Sequence, residues 1–329
     1  MEKKQTTSKV VKGLFWKLME NGGAQGVQFI VSVILARLLS PEEYSVVGVI
    51  LIFVTIANVL VQNGFSIALI QKKEVDDRDF SSVFYFNMAV SLLLYGALFA
   101  AAPQIGRFYT NPEMTALIRA LAVVLFPGGV ISIQNAYVSR RLEFKGLFIS
   151  SFIASVMSGG FSIFMAHRGW GVWALVWQQI TYYFFYMCIL FLTVSWKPRI
   201  LFSLLRIKTM LAFGWKLLCA SLLDTIYNNI YGLVIGKIYN KAMLGNYNRG
   251  EQFPKLVVNN LASAIQSVML PVLSASQDEP ETIKIMLRRA IMVSSYLILP
   301  MMAGMIAVAQ PWCCSFWGRN GSPACPFSS

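Results

Sequence analysis

Six cations sit in or beside long apolar stretches of this chain: Lys17, Arg37, Arg119, Lys216, Arg249 and Lys255. Two carboxylates, Glu20 and Asp224, share that setting. An arginine holds a planar oxyanion in bidentate fashion and a lysine acts as a point charge, so the excess of cations suits an anionic ligand. A desolvated carboxylate has a raised affinity for a proton and can exchange it, or sodium, when its surroundings change. Amides add neutral hydrogen-bonding capacity: Asn21, Gln25, Gln28, Asn63, Gln134, Asn135, Gln178, Gln179, Asn228, Asn229, Asn259 and Asn260. Tyr182, Tyr183, Tyr186, Tyr227 and Tyr231 add amphipathic surface. Each has an ordinary alternative. Lys17 and Lys216 can snorkel to an interface, Arg37 can close a helix end, and Arg249 can pair with Glu251. Glu20 and Asp224 can pair with the nearby lysines, and the amides and tyrosines can bond helix to helix.

No catalytic constellation surrounds these groups. The single histidine, His167, stands beside Arg168 without a Ser/His/Asp, paired-carboxylate or metal set. Of the five cysteines, Cys188 and Cys219 lie in apolar runs and Cys313, Cys314 and Cys325 crowd the end. Ser158-Gly159-Gly160 is a helix-packing signal and there is no P-loop. No enzyme is expected, and no cofactor beyond H+ or Na+ coupling.

The elements that carry these residues are nine apolar runs, near 14–38, 45–68, 82–106, 115–137, 147–167, 170–195, 212–238, 244–274 and 285–310. A helix of about 20 residues crosses a hydrocarbon core of about 30 Å. Barrel strands would be about 10 residues long and alternating, so the fold class is an all-α polytopic membrane protein. The net charge of +13 follows the connections. Lys3, Lys4, Lys9 and Lys12 precede the first run. Lys72, Lys73 and Arg78, then Arg140, Arg141 and Lys145, then Lys197, Arg199, Arg206 and Lys208, then Lys284, Arg288 and Arg289 fill alternate loops. The other loops are poor in cations. The positive-inside rule therefore puts the N-terminus in the cytoplasm of a multi-pass protein. The charge reads as orientation and lipid affinity, not a nucleic-acid footprint. The N-terminal run lacks an A-x-A-like cleavage site and is expected to stay as the first helix.

The first and seventh runs look like one helix used twice. Trp16-Lys17-Leu18 and Trp215-Lys216-Leu217 open them, and Arg37 and Lys237 close them. From the shared lysine, one face shows Lys17, Asn21, Gln25, Gln28 and Ser32; the other shows Lys216, Ala220, Asp224, Tyr227 and Tyr231. Polar stripes in lipid are costly, so both are expected to face the protein interior or a water-filled cavity. A parallel repeat of this kind belongs with two rocking bundles around a central site. The boundaries are a six-helix lobe over 1–196, an amphipathic interfacial linker over 197–211, three helices of a second lobe over 212–311, and a tail over 312–329. A helix break is expected at Pro127-Gly128-Gly129, beyond Arg119.

Lys12-Gly13-Leu14-Phe15-Trp16, the turn Ala36-Arg37-Leu38-Leu39-Ser40-Pro41-Glu42-Glu43-Tyr44, Gln62-Asn63-Gly64-Phe65 and Leu244-Gly245-Asn246-Tyr247-Asn248-Arg249 carry a resemblance over about residues 10–311. The chain resembles Wzx-type polysaccharide flippases of the multidrug/oligosaccharidyl-lipid/polysaccharide exporter superfamily. The resemblance implies a MATE-like two-lobed architecture with an incomplete second lobe. It also implies flipping of undecaprenyl-pyrophosphate-linked oligosaccharides across the bacterial inner membrane by alternating access, for lipopolysaccharide, O-antigen or exopolysaccharide synthesis. A lipid-linked oligosaccharide, membrane lipids, a polysaccharide polymerase and glycosyltransferases would be its partners. Arg119, Arg249, Lys216, Lys17, Arg37, Gln25, Gln28 and Asn228 are then the expected pyrophosphate and sugar contacts, with Asp224 and Glu20 for ion coupling. The alternatives are a multidrug or cation antiporter of the same superfamily, whose cavity should be acidic and aromatic, and a non-transporting membrane remnant. From Trp312 the helical periodicity is lost. Synonymous codons with one restored base after Pro311 would read as a further apolar helix end. A frameshift that leaves an inactive fragment is expected there, and a natural short variant is the alternative.

Overall fold

Two capping boxes start the second and third helices. Ser40 accepts the Glu43 amide and donates its own amide to the Glu43 carboxylate at 2.6 Å, with Pro41 next to the cap. Asp76 and Asp79 repeat the arrangement. Each box satisfies two amides that a helix start would leave orphaned. The computed structural model describes residues 2–72, 75–141, 143–238 and 280–317, with positions 244, 247, 248, 250, 255 and 258 between them. Among these residues the elements are α1 (Glu2–Leu38), α2 (Pro41–Gln71), α3 (Asp77–Phe108), α4 (Glu113–Ala122), α5 (Leu125–Arg141), α6 (Lys145–His167), α7 (Val172–Thr193), α8 (Leu204–Ile238) and α9 (Pro280–Trp317). The described residues contain helices and no strand.

Among the described residues seven segments are long and apolar enough to cross a membrane, with α4 and α5 forming one of them. Of the nine expected runs, 244–274 lies mostly outside the described residues. The run in α1 is helical, but its polar and charged stripe holds it below the hydropathy of a self-sufficient span. The break expected at Pro127 occurs four residues earlier, at Val123–Val124. Proline has no amide to give the carbonyl of residue 123 and its ring crowds that carbonyl, so the helix restarts at Leu125.

α6 packs between α1 and α7, and α2 packs against α5 and α8. A Cβ at Gly159 would collide with Val31, so glycine is what lets α6 approach α1. Among the described residues three buried clusters result, two of them large. One joins Leu35, Ile50, Ile118 and Val176. The other, toward the connections rich in Arg and Lys, joins Phe80, Ile133, Leu147 and Leu190; we call this the basic end.

The linker differs from the interfacial helix expected over 197–211. Residues 194–203 are a non-helical strap that bends at Ile200, and Leu204 already starts α8. Side chains of α3 capture the strap's backbone: Arg199 N–H donates to the Ser81 hydroxyl at 3.1 Å and Ser203 N–H to Ser82 at 3.0 Å. Trp196 is buried against Phe80, Phe84 and Tyr137, and Ile207 and Met210 join the same cluster. Arg206 pairs with Asp76 and lies 3.1 Å from Asp79, which Lys72 meets at 2.7 Å. Helix α9 continues through Trp317, so the loss of helix expected from Trp312 does not occur there. The apolar run Trp312 to Trp317 contains no breaker, and Gly318 follows it. The rest of the tail lies outside the described residues.

Candidate functional site

Two neighbouring compartments, together called the cleft, lie beside α1 and α7, one bounded also by α2 and α8 and the other by α5 and α6. The outer one, about 340 Å³, has Gln28 and Ser32 of α1 facing Gly48 and Thr55 of α2, with Asn228, Asn229 and Gly232 of α8 and Lys255 on its second side. The inner one, about 370 Å³ and closer to the basic end, is lined by Glu20, Gln25 and Gln28 of α1, Asn135 of α5, Ser151 of α6 and Tyr182, Tyr183 and Tyr186 of α7. Gln28, Gln179 and Tyr182 line both. Both volumes lie in the range of small-ligand sites, about 300–1,000 Å³.

Helical periodicity explains the α1 wall. Glu20, Gln25, Gln28 and Ser32 recur at intervals of three to five residues and so share one face. The α1 stripe therefore faces a cavity, as its cost in lipid requires. Gln178 or Gln179, Tyr182 and Tyr186 follow the same spacing on α7. Glu20 is 8% exposed, and its Oε2 accepts from Lys17 Nζ at 2.8 Å. Lys17 also lies 5.7 Å from the Phe144 ring, and the adjacent Lys145 lies 5.8 Å from the Trp16 ring. These reciprocal contacts tie the start of α6 to α1.

The expected site residues separate into groups. Glu20, Gln25, Gln28 and Asn228 line the cleft, and Lys17 reaches it through Glu20. Arg119 does not line it. Its guanidinium covers the Phe99 ring at 4.0 Å and its Nε donates to the Phe99 carbonyl at 3.4 Å, joining α4 to α3. Arg37 is in the last turn of α1 and exposed; Lys216 is exposed on α8. Arg249 lies outside the described residues. The α8 stripe is a correction: Asp224, Tyr227 and Tyr231 are exposed and line neither compartment. Helix α8 docks on α2 through Gly232, where a Cβ would stand 3.0 Å from Ile52. Asn228 and Asn229 reach the cleft beside Gly232, whereas Asp224, one turn earlier on the helix, is exposed and does not line it.

The tyrosines, Gln178, Gln179 and Asn135 were legible only as a general set of amides and aromatics. Their spacing on α7 is the signal that ranks them, by the reasoning that picked out α1. Some loop cations also have structural work that charge counting misses. Arg140 donates to the carbonyls of Leu69, Ile70 and Lys72 at 2.8, 3.0 and 2.6 Å, closing the C-terminus of α2. Beside it, the hydrogen bond from Arg206 holds the Asp76 carboxyl below its ordinary value.

Comparison with known proteins agrees with this architecture. A family described as "Polysaccharide biosynthesis protein" matches residues 34–324. Similar proteins include the succinoglycan biosynthesis transport protein ExoT of Rhizobium meliloti, 25% identical over 96% of this chain and 64% of its own length. The lipopolysaccharide biosynthesis protein WzxC of Escherichia coli is 23% identical, over 97% of this chain and 65% of its own. The teichuronic acid biosynthesis protein TuaB of Bacillus subtilis is 22% identical, over 97% and 67%. The chain thus spans about two thirds of the length of these relatives. Among solved structures, an inward-facing multidrug resistance MATE family transporter of the MOP superfamily superposes with a TM-score of 0.61, covering 90% of this chain and 74% of that one at 17% identity. A MATE crystal structure in the bent conformation gives 0.55, covering 97% and 76% at 17% identity. With a MATE fold and a family match over most of its length, this multi-pass helical membrane protein belongs to the polysaccharide biosynthesis protein family.

Proposed function

We propose that the chain moves lipid-linked oligosaccharide units from the inner to the outer leaflet of a bacterial plasma membrane by alternating access. The observation that carries this reading is the cleft itself. It lies between helices on either side of the strap, α1, α2 and α7 against α8, where two lobes would rock. The relatives' names in succinoglycan, lipopolysaccharide and teichuronic acid synthesis support the substrate class. Lobes over 1–196 and 212–311 would move about the linker, with the basic end and the N-terminus in the cytoplasm. Gln25, Gln28 and Asn228 would contact the cargo. Arg37, Lys216 and Arg249 are the cations a pyrophosphate would pass along its route, whereas Lys17 is paired with Glu20 and Arg119 is held on Phe99. Glu20 is the better coupling carboxylate, because it lines the cavity and Asp224 does not. Glycosyltransferases would load the carrier and a polymerase would consume the flipped unit.

One observation favours a cation antiporter as the second reading. Glu20 stands among Tyr182, Tyr183 and Tyr186, an acidic and aromatic surface. Proteoliposomes decide between them. Flipping of a fluorescent lipid-linked oligosaccharide should exceed that in empty vesicles and fall at least tenfold with Gly48→Trp, which plugs the outer compartment. Equal rates in empty, wild-type and plugged vesicles would sink the flippase reading, and proton-driven ethidium uptake would establish the antiporter.

A further inference from the structure

The inner compartment is nearly neutral. Among its described lining residues the only charged side chain is Glu20, and Lys17 already occupies its Oε2. A diphosphate entering here would meet a carboxylate first and no arginine among those residues, which is costly away from water. The remaining surface has another character. Tyr182 and Tyr186 succeed each other along α7 with ring centroids 5.8 Å apart, and Tyr183 stands edge-on to Tyr182 at 5.5 Å. Tyr186 Oη donates to Asn135 Oδ1 at 3.4 Å, so the two present their other polar atoms as a pair. Glu20 and Gln25 face this wall from α1.

We infer that the inner compartment is a subsite for an uncharged sugar ring, and that it excludes the diphosphate. A sugar offers hydroxyl donors around its rim and C–H groups on its faces. Glu20 Oε1 and the amide oxygens accept from the rim, the carboxylate as a charge-assisted acceptor. The phenol rings cover the faces, joining an apolar body to a polar tip. Lys17 acts as a positioning residue: its ammonium, 2.8 Å from Oε2, holds the Glu20 carboxylate in one rotamer. At about 370 Å³ the space suits a small saccharide. The inference deepens the flippase reading and rests on it only for how the sugar arrives.

The test uses the whole 329-residue chain in lipid nanodiscs, with maltotriose and a β-1,4-galactotriose as neutral probes and inorganic pyrophosphate as the rival. Saturation-transfer difference NMR should show saturable binding of at least one trisaccharide, unaffected by an equal concentration of pyrophosphate. Tyr182→Ala and Glu20→Gln should each weaken it about tenfold or more, the range of a lost charge-assisted bond or ring contact. Tyr182→Phe should keep most of it. Gel filtration checks that each variant folds, and Tyr186→Phe, which removes one hydroxyl, replaces any that does not. Displacement by pyrophosphate, no saturation with either sugar, or unchanged binding in the folded variants overturns the inference. Flipping without sugar binding removes the subsite and leaves the flippase reading; sugar binding without flipping does the reverse.

Discussion

Helices α6 and α9 are almost equally apolar, with mean span hydropathies of 1.8 and 1.9, yet 44% of one span is buried and none of the other. The contrast extends to their neighbours. The α4–α5 span is 67% buried and the α8 span 6%. Apolarity takes a helix into the membrane, where lipid satisfies it as well as protein does. Burial needs something more, either a small residue such as Gly159 that admits a neighbour or a polar stripe that lipid rejects. Helix α6 has the first at Gly159 and α1 the second along Glu20, Gln25 and Gln28. Helices α8 and α9 contribute mainly through the face of α8 that meets α2. The repeat makes the point within one residue type: Lys17 is half-buried on Glu20, whereas its counterpart Lys216 is exposed.

The sharpest way to break this comparison is one truncation made in both regions. Ile118→Ala, at a side chain with no exposure, should cost about 2–5 kcal/mol. Leu223→Ala, at 70% exposure, should stay within about 0.5 kcal/mol. Thermal unfolding in one detergent compares them, and similar losses would show that α8 is as tightly packed as α4.

A smaller effect is expected where the strap joins the two regions. Asp79 is 1% exposed, caps α3 and faces both Lys72 and Arg206. Asp79→Ala should cost about 2–3 kcal/mol, the lost cap plus two cations left with one partner fewer. Faster proteolysis within 194–203 is the readout; unchanged cleavage would mean that Trp196 and the serine hydroxyls hold the strap alone.

The smallest effect is the pH response of Asp76. Its carboxyl is held below 3.8, first by the hydrogen bond from Arg206. A lowered folded value contributes stability that is present above the unfolded value and lost as pH falls through the folded one. The strap should therefore be indifferent from neutrality down to about pH 4 and loosen below it. Because Asp76 is more than half exposed, solvent screens most of the gain. Hydrogen exchange at 199–203, corrected for intrinsic rates, should show the step in the wild type and not in Asp76→Asn. A step near pH 6 would point to another group.

Much of the architecture was legible in local patterns. The α1 stripe pointed to a cavity because charged and amide side chains at helical spacing have no acceptable place in lipid. The turn Ser40-Pro41-Glu42-Glu43 proves to be a capping box that starts its helix four residues before the run expected from 45, and Pro127 announced a break, misplaced only because the damage falls on the carbonyl four residues before it. The function-bearing cations were less legible. Arg119 looked available to a ligand, but a neighbour 20 residues away, Phe99, covers it. The placement of α8 was beyond the same reasoning, since Asp224 and Asn228 share a face one turn apart and only the docking of α8 on α2 puts one beside the cleft and the other outside it.

Composition, apolar run lengths and loop charge alone determined that this is a multi-pass helical protein with a polar-faced first helix, because hydropathy and backbone satisfaction act along the chain. Tertiary structure alone decided which polar groups share a cleft, that Glu20 and not Asp224 lines it, and that the linker is a strap bound to α3. Those outcomes depend on how whole helices rotate and dock, and the energies that settle them are contacts between residues far apart in sequence.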